Sequence, residues 1–211
     1  MHEFELVIGD RRYSSWSLRP WLVMQTAGIG FNESHIKLRQ PDTAAQALRH
    51  SPSGKVPLLK HGDRWVWDSL AICEYLADLF PGKKLWPEDA SLRAEARSIA
   101  AEMHSGFMDM RRELSMDCAE TLPLPDLSDG ARRDVARVQE IWQTCLKRRL
   151  PGGPFLYGHF TIADGFYAPV ASRFVTYGVA LPPECKAYVD AIMALPAMQA
   201  WVKAAKAEVQ A

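Results

Sequence analysis

The sequence has no excess of charge of either sign and no long apolar run. Of its 211 residues, 25 are Lys or Arg and 25 are Asp or Glu, so the formal net charge is zero. A general nucleic-acid-binding protein needs a surplus of cations to displace the counterions of phosphates, which argues against nucleic acid as a partner. No apolar stretch reaches the roughly 20 residues that span a bilayer, and the acidic residues 1–5 do not resemble a signal peptide. We therefore expect a cytoplasmic protein without a membrane partner.

Cysteine and histidine are few and lack the spacings of metal sites. The four cysteines contain no CxxC pair and the six histidines form no HxxxH pattern, so we expect no metal. In a reducing compartment, scattered cysteines are ordinarily free thiols in or near helix cores. These cysteines are Cys73, Cys118, Cys145 and Cys185.

The first 83 residues alternate between strand and helix signals. A β-prone run at 4–8 precedes a helical stretch at about 17–27 that ends at Gly28. Because proline is tolerated in the first turn of a helix, Pro20 predicts that this helix begins near residues 15–17. The later elements of this half are a strand at 31–38, a helix at 43–50, a hairpin of strands at 56–60 and 64–67, and a helix at 69–80. This order predicts a small α/β sandwich of the thioredoxin type.

The second half carries helical periodicity and no convincing strand. Apolar residues recur at helical spacing over 92–114, which predicts one continuous helix there. Further helices are expected at about 131–149, from Thr161, from Pro183 and from Pro196. We therefore divide the chain into a thioredoxin-like domain at 1–83, a linker at 84–92 and an all-helical domain at 93–211.

Some side chains of the helical half are expected to stabilise the fold and not to take part in the active site. Thr161 and Asp164 have the spacing of a capping box, in which the aspartate bonds back to the helix start. The aromatic rings of Trp142 and Trp201 are expected in the core.

A pair of serines lies between the first strand and the first helix. The ordinary role of Ser14 or Ser15 is to cap the helix by accepting a hydrogen bond from an exposed N–H. The functional alternative is that a hydroxyl here donates to a bound thiolate, which the helix N-terminus also favours. One such hydrogen bond and the dipole together could lower a thiol pKa by about one to two units.

Two further segments have the form of a peptide-binding site. If the bond between Val56 and Pro57 is cis, the Val56 N–H and C=O would face outward and could pair with an extended peptide. Asp68 and Ser69 begin the last helix of this half and are typical caps. The same two side chains would also recognise an α-amino-acid head group, with Asp68 on its ammonium and Ser69 on its carboxylate.

These segments together resemble the glutathione transferase superfamily. Residues 51–59 and 68–69 are similar to its glutathione-binding half, and 161–164 is similar to the capping motif of its helical half. Residues 14–19, with the sequence SSWSLR, are similar to the Ser-Ser-Cys-Ser-x-Arg signature of the zeta class, which includes maleylacetoacetate isomerases. The resemblance covers essentially the whole chain. It implies the glutathione transferase fold, glutathione as co-substrate and a homodimer.

The resemblance also implies roles for individual residues. Ser14 would activate the thiol of glutathione with Ser15 beside it, and Ser14 is our first choice for the critical bond. The implied glutathione contacts are Lys55 near the glycyl end, Val56 before Pro57 on the cysteinyl backbone, and Asp68 and Ser69 at the γ-glutamyl end.

The helical half supplies candidates for the second substrate. Met108, Arg111 and Arg112 could line its pocket, because methionine forms an adaptable apolar wall and arginine binds a carboxylate or a developing anion. Two departures from the zeta class disfavour an isomerase of a charged diacid. Trp16 replaces the signature cysteine, and Met108 stands where that class tends to have a polar residue.

The predicted function is that of a glutathione transferase, in which the glutathione thiolate attacks an electrophilic carbon of a small molecule. Three alternatives stay open. One is a glutathione-dependent cis-trans isomerase of the maleylacetoacetate type. Another is a thiol-disulfide oxidoreductase, which the lack of cysteine in residues 13–19 disfavours. The third is a non-catalytic interaction protein with the same fold.

Overall fold

The N-terminal half is a four-stranded sheet with helices packed on it. The computed structural model describes residues 3–208, so the predicted domain ends at 1–2 and 209–211 lie outside the described residues. The elements are β1 (Phe4–Gly9), α1 (Ser15–Thr26), β2 (Phe31–Ile36), α2 (Thr43–His50), β3 (Leu58–His61), β4 (Arg64–Val66) and α3 (Ser69–Leu79). The strand order is β2-β1-β3-β4, with β1 parallel to β2 and antiparallel to β3. The predicted thioredoxin-like arrangement is confirmed.

Strand β1 is the centre of this half because both of its faces are buried. Leu6 and Ile8 contribute to the main core, whereas Val7 packs on the opposite face against Leu58 and Ala47. A central strand covered on both sides has a continuous apolar run instead of an alternating one. The stretch at 4–8 has this run.

The C-terminal half is all-helical, as predicted. After a short 3-10 turn (Pro81–Lys83) come α4 (Ala90–Ser105), α5 (Met108–Glu113), α6 (Asp129–Lys147), α7 (Ile162–Thr176), α8 (Pro183–Ala194) and α9 (Pro196–Glu208). Helix α4 begins inside the span predicted as linker, because the Asp89 side chain accepts a hydrogen bond from the Leu92 N–H at 2.8 Å and caps it there. Trp142 and Trp201 are fully buried, as expected.

The prediction of one continuous helix over 92–114 is wrong. The helix ends at Gly106, which is extended, and Phe107 follows with φ 60°, in the left-handed region. A Cβ on Gly106 would lie 2.8 Å from the Glu102 carbonyl oxygen, so the close turn needs glycine. The apolar repeat survives the break because Met110 and Leu114 return to the same core.

The placement of Pro20 also differs from the prediction. Helix α1 begins at Ser15, as expected, but Pro20 therefore lies in its second turn and not in the first. Helix α1 is buried along most of its length and contacts α3, α7 and α9. This packing on several sides outweighs the local cost of an internal proline.

The capping box at the start of α7 is confirmed. Oδ2 of Asp164 accepts hydrogen bonds from the Thr161 N–H at 2.8 Å and from the Thr161 hydroxyl at 2.9 Å. Oδ1 of the same carboxylate accepts from the Leu156 N–H at 3.1 Å and the Tyr188 hydroxyl at 3.2 Å. The carboxylate therefore ties α7 to α8 and to the preceding loop.

Over residues 3–208, none of the helices combines the length and apolarity that crossing a bilayer requires. In the same range no three His, Cys, Asp or Glu side chains converge in a way that could hold a metal ion. All four cysteines are buried free thiols.

Candidate functional site

A cleft of about 440 Å³ opens between the start of α1, the loop before β3 and the start of α3. Ser14 and Ser15, which were predicted at the glutathione thiol, are not among the residues that line it, whereas the residues predicted for the rest of glutathione lie in its walls. These walls are formed by Trp16, Ser53, Lys55, Val56, Pro57, Trp67, Asp68 and Ser69. The short sequence segments that carried the prediction therefore form one surface.

The backbone of Val56 is free to bind a peptide. The bond from Val56 to Pro57 is cis. Within the described residues, neither the N–H nor the C=O of Val56 has a hydrogen-bond partner, because strand pairing begins only at Leu58. One unpaired donor and one unpaired acceptor thus belong to a residue of the cleft wall, as an extended peptide would need.

Asp68 has the predicted capping role and a second contact that the sequence did not predict. Oδ1 of Asp68 accepts hydrogen bonds from the N–H groups of Leu70 at 3.0 Å and Ala71 at 3.4 Å. Oδ2 lies 3.0 Å from Nε2 of His104, on α4 of the other half. A lone histidine on a helix has no motif that signals such a role.

Burial is the largest influence on the His104 ring and lowers its pKa. The positive charges of Arg19 and Arg111 act in the same direction, and Asp68 opposes them. The ring is therefore neutral near neutral pH, and its Nε2–H donates to Asp68.

The Ser69 side chain is fully buried at the N-terminus of α3. Its hydroxyl has no hydrogen-bond partner among the residues that the structure describes. Buried hydroxyls normally have one, since an unmet hydrogen bond costs about 1–3 kcal/mol. Ser69 is also part of the cleft wall, so a ligand could supply the partner.

The two serines at the start of α1 have different hydrogen bonds. Ser14 caps the helix: its hydroxyl accepts from the Ser17 N–H at 3.3 Å and donates to the Ser17 hydroxyl oxygen at 2.7 Å. The only proton of the Ser14 hydroxyl is thus already engaged. Ser15 makes no side-chain hydrogen bond in the described part of the chain. The free hydroxyl next to Trp16 is therefore that of Ser15.

The three predicted pocket residues of the helical half do not share one wall. Met108 is 64% exposed, and Arg112 pairs with Asp109 at 2.6 Å on the outer face of α5. Arg111 turns the other way. Its guanidinium carbon lies 4.8 Å from the ring centroid of Trp16, in the cleft wall, and Nη2 donates to the Met103 carbonyl. Of the three, Arg111 contacts a cleft-lining residue, Trp16, and none of the three is itself in the cleft wall.

Comparison with known proteins agrees with this geometry. The family described as glutathione S-transferase, N-terminal domain, matches residues 13–79, and its C-terminal domain matches 126–204. Mouse glutathione S-transferase omega-2 is 26% identical over 203 residues, which cover 94% of this chain and 74% of that protein. A glutathione transferase homolog from Burkholderia strain BGR1, solved with bound glutathione, has a TM-score of 0.72 at 23% identity and covers 97% of this chain and 98% of its own.

The comparisons correct the expected class and confirm the family. A probable maleylacetoacetate isomerase from Caenorhabditis elegans is 28% identical but matches only 47% of this chain, whereas the omega-2 proteins of mouse and rat, whose class is of the cysteine type, match 94%. The zeta signature is too short to decide a class by itself. Residues 13–19 nevertheless lack cysteine. With both domains matched and the fold shared, the chain belongs to the glutathione S-transferase family.

Proposed function

We propose that this protein binds glutathione in the cleft and directs its thiolate onto an electrophilic carbon of a small molecule. The observation that carries the proposal is the buried, unpartnered hydroxyl of Ser69 in the cleft wall. The α-carboxylate of the γ-glutamyl end suits this position, because it would accept from the hydroxyl and is favoured by the N-terminus of α3.

The rest of the tripeptide follows from the same placement. Its ammonium would pair with Asp68, which His104 orients. Its cysteinyl backbone would pair with the free N–H and C=O of Val56, ahead of Pro57, and its glycyl carboxylate would approach Lys55. Each charged end of glutathione then meets a complementary group, as binding of a zwitterionic peptide requires.

The thiol would be activated at the start of α1. Ser15 is the better donor to the sulfur, because the Ser14 proton is engaged by Ser17. In this assignment Ser14 holds the helix start in place and Ser15 stabilises the thiolate, with help from the helix dipole. The thiol proton passes to water and the sulfur forms a bond to the electrophilic carbon. At a halo-aromatic carbon the halide leaves with its electron pair, whereas with an epoxide or enone the electron pair moves onto the substrate oxygen and a proton from water completes the addition.

The second substrate would bind beside Trp16, where Arg111 adjoins the cleft. Met108 and Arg112 are left out of this pocket because Met108 is largely exposed and Arg112 pairs with Asp109. A cytoplasmic homodimer remains part of the proposal, and sedimentation equilibrium of the purified chain tests the dimer.

The experiment is a calorimetric titration with glutathione, followed by turnover assays with halo-aromatic, epoxide and enone substrates. We expect wild type to bind glutathione and Ser69→Ala to bind about tenfold or more weakly, the loss expected for a hydrogen bond to a charged group. Ser98→Ala is the matched control, because that hydroxyl is exposed on α4 and bonds only to the Ala94 carbonyl. Absence of glutathione binding at millimolar concentration would instead favour a non-catalytic interaction protein.

A further inference from the structure

A positive charge is buried under the cleft without a counterion in contact. Arg19 is fully buried on α1, one turn after Ser15 and on the same face. Among the residues that the structure describes, its Nε, Nη1 and Nη2 have no hydrogen-bond partner. Buried guanidinium groups are ordinarily paired, because an unpaired buried charge is strongly disfavoured.

Two aromatic rings lie over this guanidinium, and its edge nitrogens are buried. The Arg19 Cζ lies 4.4 Å from the ring centroid of Trp16 and 4.8 Å from that of Phe166. Such contacts stabilise a cation through the ring quadrupole. The five N–H donors, however, point outward in the plane of the group. An acceptor lying in that plane would satisfy them.

A second guanidinium shares the same tryptophan. Arg111 lies 4.8 Å from the Trp16 ring centroid, and its Nε is also buried without a partner in the described range. A third, Arg173, is buried close by and donates to the Leu114 carbonyl at 2.7 Å. Burial, and then the charges of Arg111 and Arg173, lower the pKa of Arg19.

Negative charge in this region is scarce and already used. The groups that raise the pKa of Arg19 are Cys73 and Asp68. Burial raises the pKa of the Cys73 thiol, so it is neutral. The Asp68 carboxylate caps α3 and contacts His104. The buried Arg19 and Arg173 and the partly buried Arg111 therefore carry three positive charges against the one engaged carboxylate that acts on Arg19, and the local field attracts an anion.

We infer that Trp16, Arg19 and Arg111 form an anion site that selects an electrophile carrying a carboxylate. The inference rests on the proposed function, whose second-substrate pocket it specifies. A carboxylate is flat and binds a guanidinium edge through two parallel hydrogen bonds, so it fits the plane between two rings. Trp16 is 36% exposed and belongs to both the cleft and the arginine cluster. The acid would meet Arg111 beside Trp16, and Arg19 stacks on the same indole.

Glutathione itself is the weaker candidate for this anion. Its two carboxylates already have positions in the proposed complex, one at Ser69 with the N-terminus of α3 and one near Lys55. Arg19 and Arg111 contact Trp16 and are not themselves among the residues that line the cleft, so they remain for a different molecule.

A pair of substrates that differ only in charge tests the inference. In para-chloro-meta-nitrobenzoate and its carboxamide, the glutathione sulfur bonds to the ring carbon, the carbon–chlorine bond breaks and chloride leaves with its electron pair. Each rate is divided by the uncatalysed rate with glutathione, so that ring reactivity cancels. We expect kcat/KM for the acid to exceed that for the amide by about tenfold or more in wild type, as one charge-assisted pair supplies.

Variants identify the side chains that bind the carboxylate of the acid substrate. Arg19→Met and Arg111→Met should each remove most of the preference for the acid. Arg19→Lys keeps a positive charge but loses the planar guanidinium, so it should retain only part of the preference for the acid. If Arg19→Met does not fold, Arg19→Lys takes its place in the test. Arg132→Met is the matched control, because that arginine is exposed and pairs with Asp126. Equal normalised rates for both substrates in wild type, or an unchanged preference in all three cluster variants, would overturn the inference.

Binding measurements separate this inference from the proposed function. In one outcome, Arg19→Met and Arg111→Met raise the glutathione Kd by the same factor by which they lower the acid-to-amide ratio of kcat/KM. The arginines then bind glutathione, so the inference fails while the proposed function stands. If wild type binds no glutathione, the proposed function fails, and titration with meta-nitrobenzoate against meta-nitrobenzamide decides the anion site alone. Selective binding of the acid that Arg111→Met abolishes supports the site; equal affinity overturns it.

Discussion

Nε2 of His104 lies 3.0 Å from Oδ2 of Asp68, so a helix of the all-helical half reaches the cleft of the sheet half. The other carboxylate oxygen is held by the N–H groups at the start of α3. Asp68 is therefore oriented from two sides before a ligand arrives. Such preorganisation reduces the entropy lost on binding.

Replacing His104 should weaken glutathione binding without removing any proposed contact to glutathione. We expect His104→Leu to raise the glutathione Kd by about threefold to tenfold, the effect of one net hydrogen bond. His104→Gln can still donate to Asp68 and should recover most of the affinity. His159→Leu is the control, since within the described residues its ring hydrogen-bonds to the Lys84 carbonyl and not to Asp68. An unchanged Kd in His104→Leu would show that the capping bonds alone orient Asp68.

The two serines of α1 should separate stability from thiol activation. Ser14→Ala removes a helix cap and should lower the free energy of unfolding by about 0.5–2 kcal/mol, with little effect on the bound thiol. Ser15→Ala should raise the pKa of that thiol toward its ordinary value and lower kcat. Urea unfolding and the ultraviolet absorbance of the thiolate against pH measure the two effects. The reverse result would make Ser14 the activating residue.

Asp164 should make stability depend on pH in the acid range. Burial raises its pKa to about 6, against about 3.9 in an unfolded chain. Between those values the folded state binds more protons than the unfolded state, so stability falls as pH rises. Relative to Asp164→Asn, wild type should lose about 1–3 kcal/mol of unfolding free energy from pH about 4 to about 7. Urea titrations at both pH values measure this difference in unfolding free energy. If wild type instead gains stability as the pH rises, the four hydrogen-bond donors keep the carboxylate ionised.

The contact between α1 and α7 should tolerate no added methyl group. A Cβ on Gly165 would lie 2.7 Å from Cγ2 of Val23. We expect Gly165→Ala to destabilise the protein by about 1–2 kcal/mol, since overpacking outweighs the gain in helix propensity. Combined with Val23→Ala it should cost less than the sum of the single changes by at least about 0.5 kcal/mol. Gly82→Ala, where nothing lies within 4 Å, is the control, and strict additivity would contradict the clash.

Local signals in the chain were enough to predict both halves of the fold and the walls of the cleft. The periods of strands and helices depend on neighbouring residues, so β1, the hairpin and most helices lie where they were predicted. The residues predicted to contact glutathione at 55–57 and 68–69 are separated by one hairpin, which brings them together whenever it forms.

Orientation between distant elements was decided only by the tertiary structure. Sequence alone could not choose between Ser14 and Ser15, because the choice depends on which hydroxyl Ser17 engages. Nor could it separate Arg111 from Arg112. Both were assigned to faces of one continuous helix, and the break after α4 changes which face each side chain occupies. The unpaired charge of Arg19 likewise exists only because α1 is packed between two halves that bring aromatic rings, not carboxylates, to its side chain. Periodicity specifies which residues are buried, but the packing of whole helices determines what they are buried against.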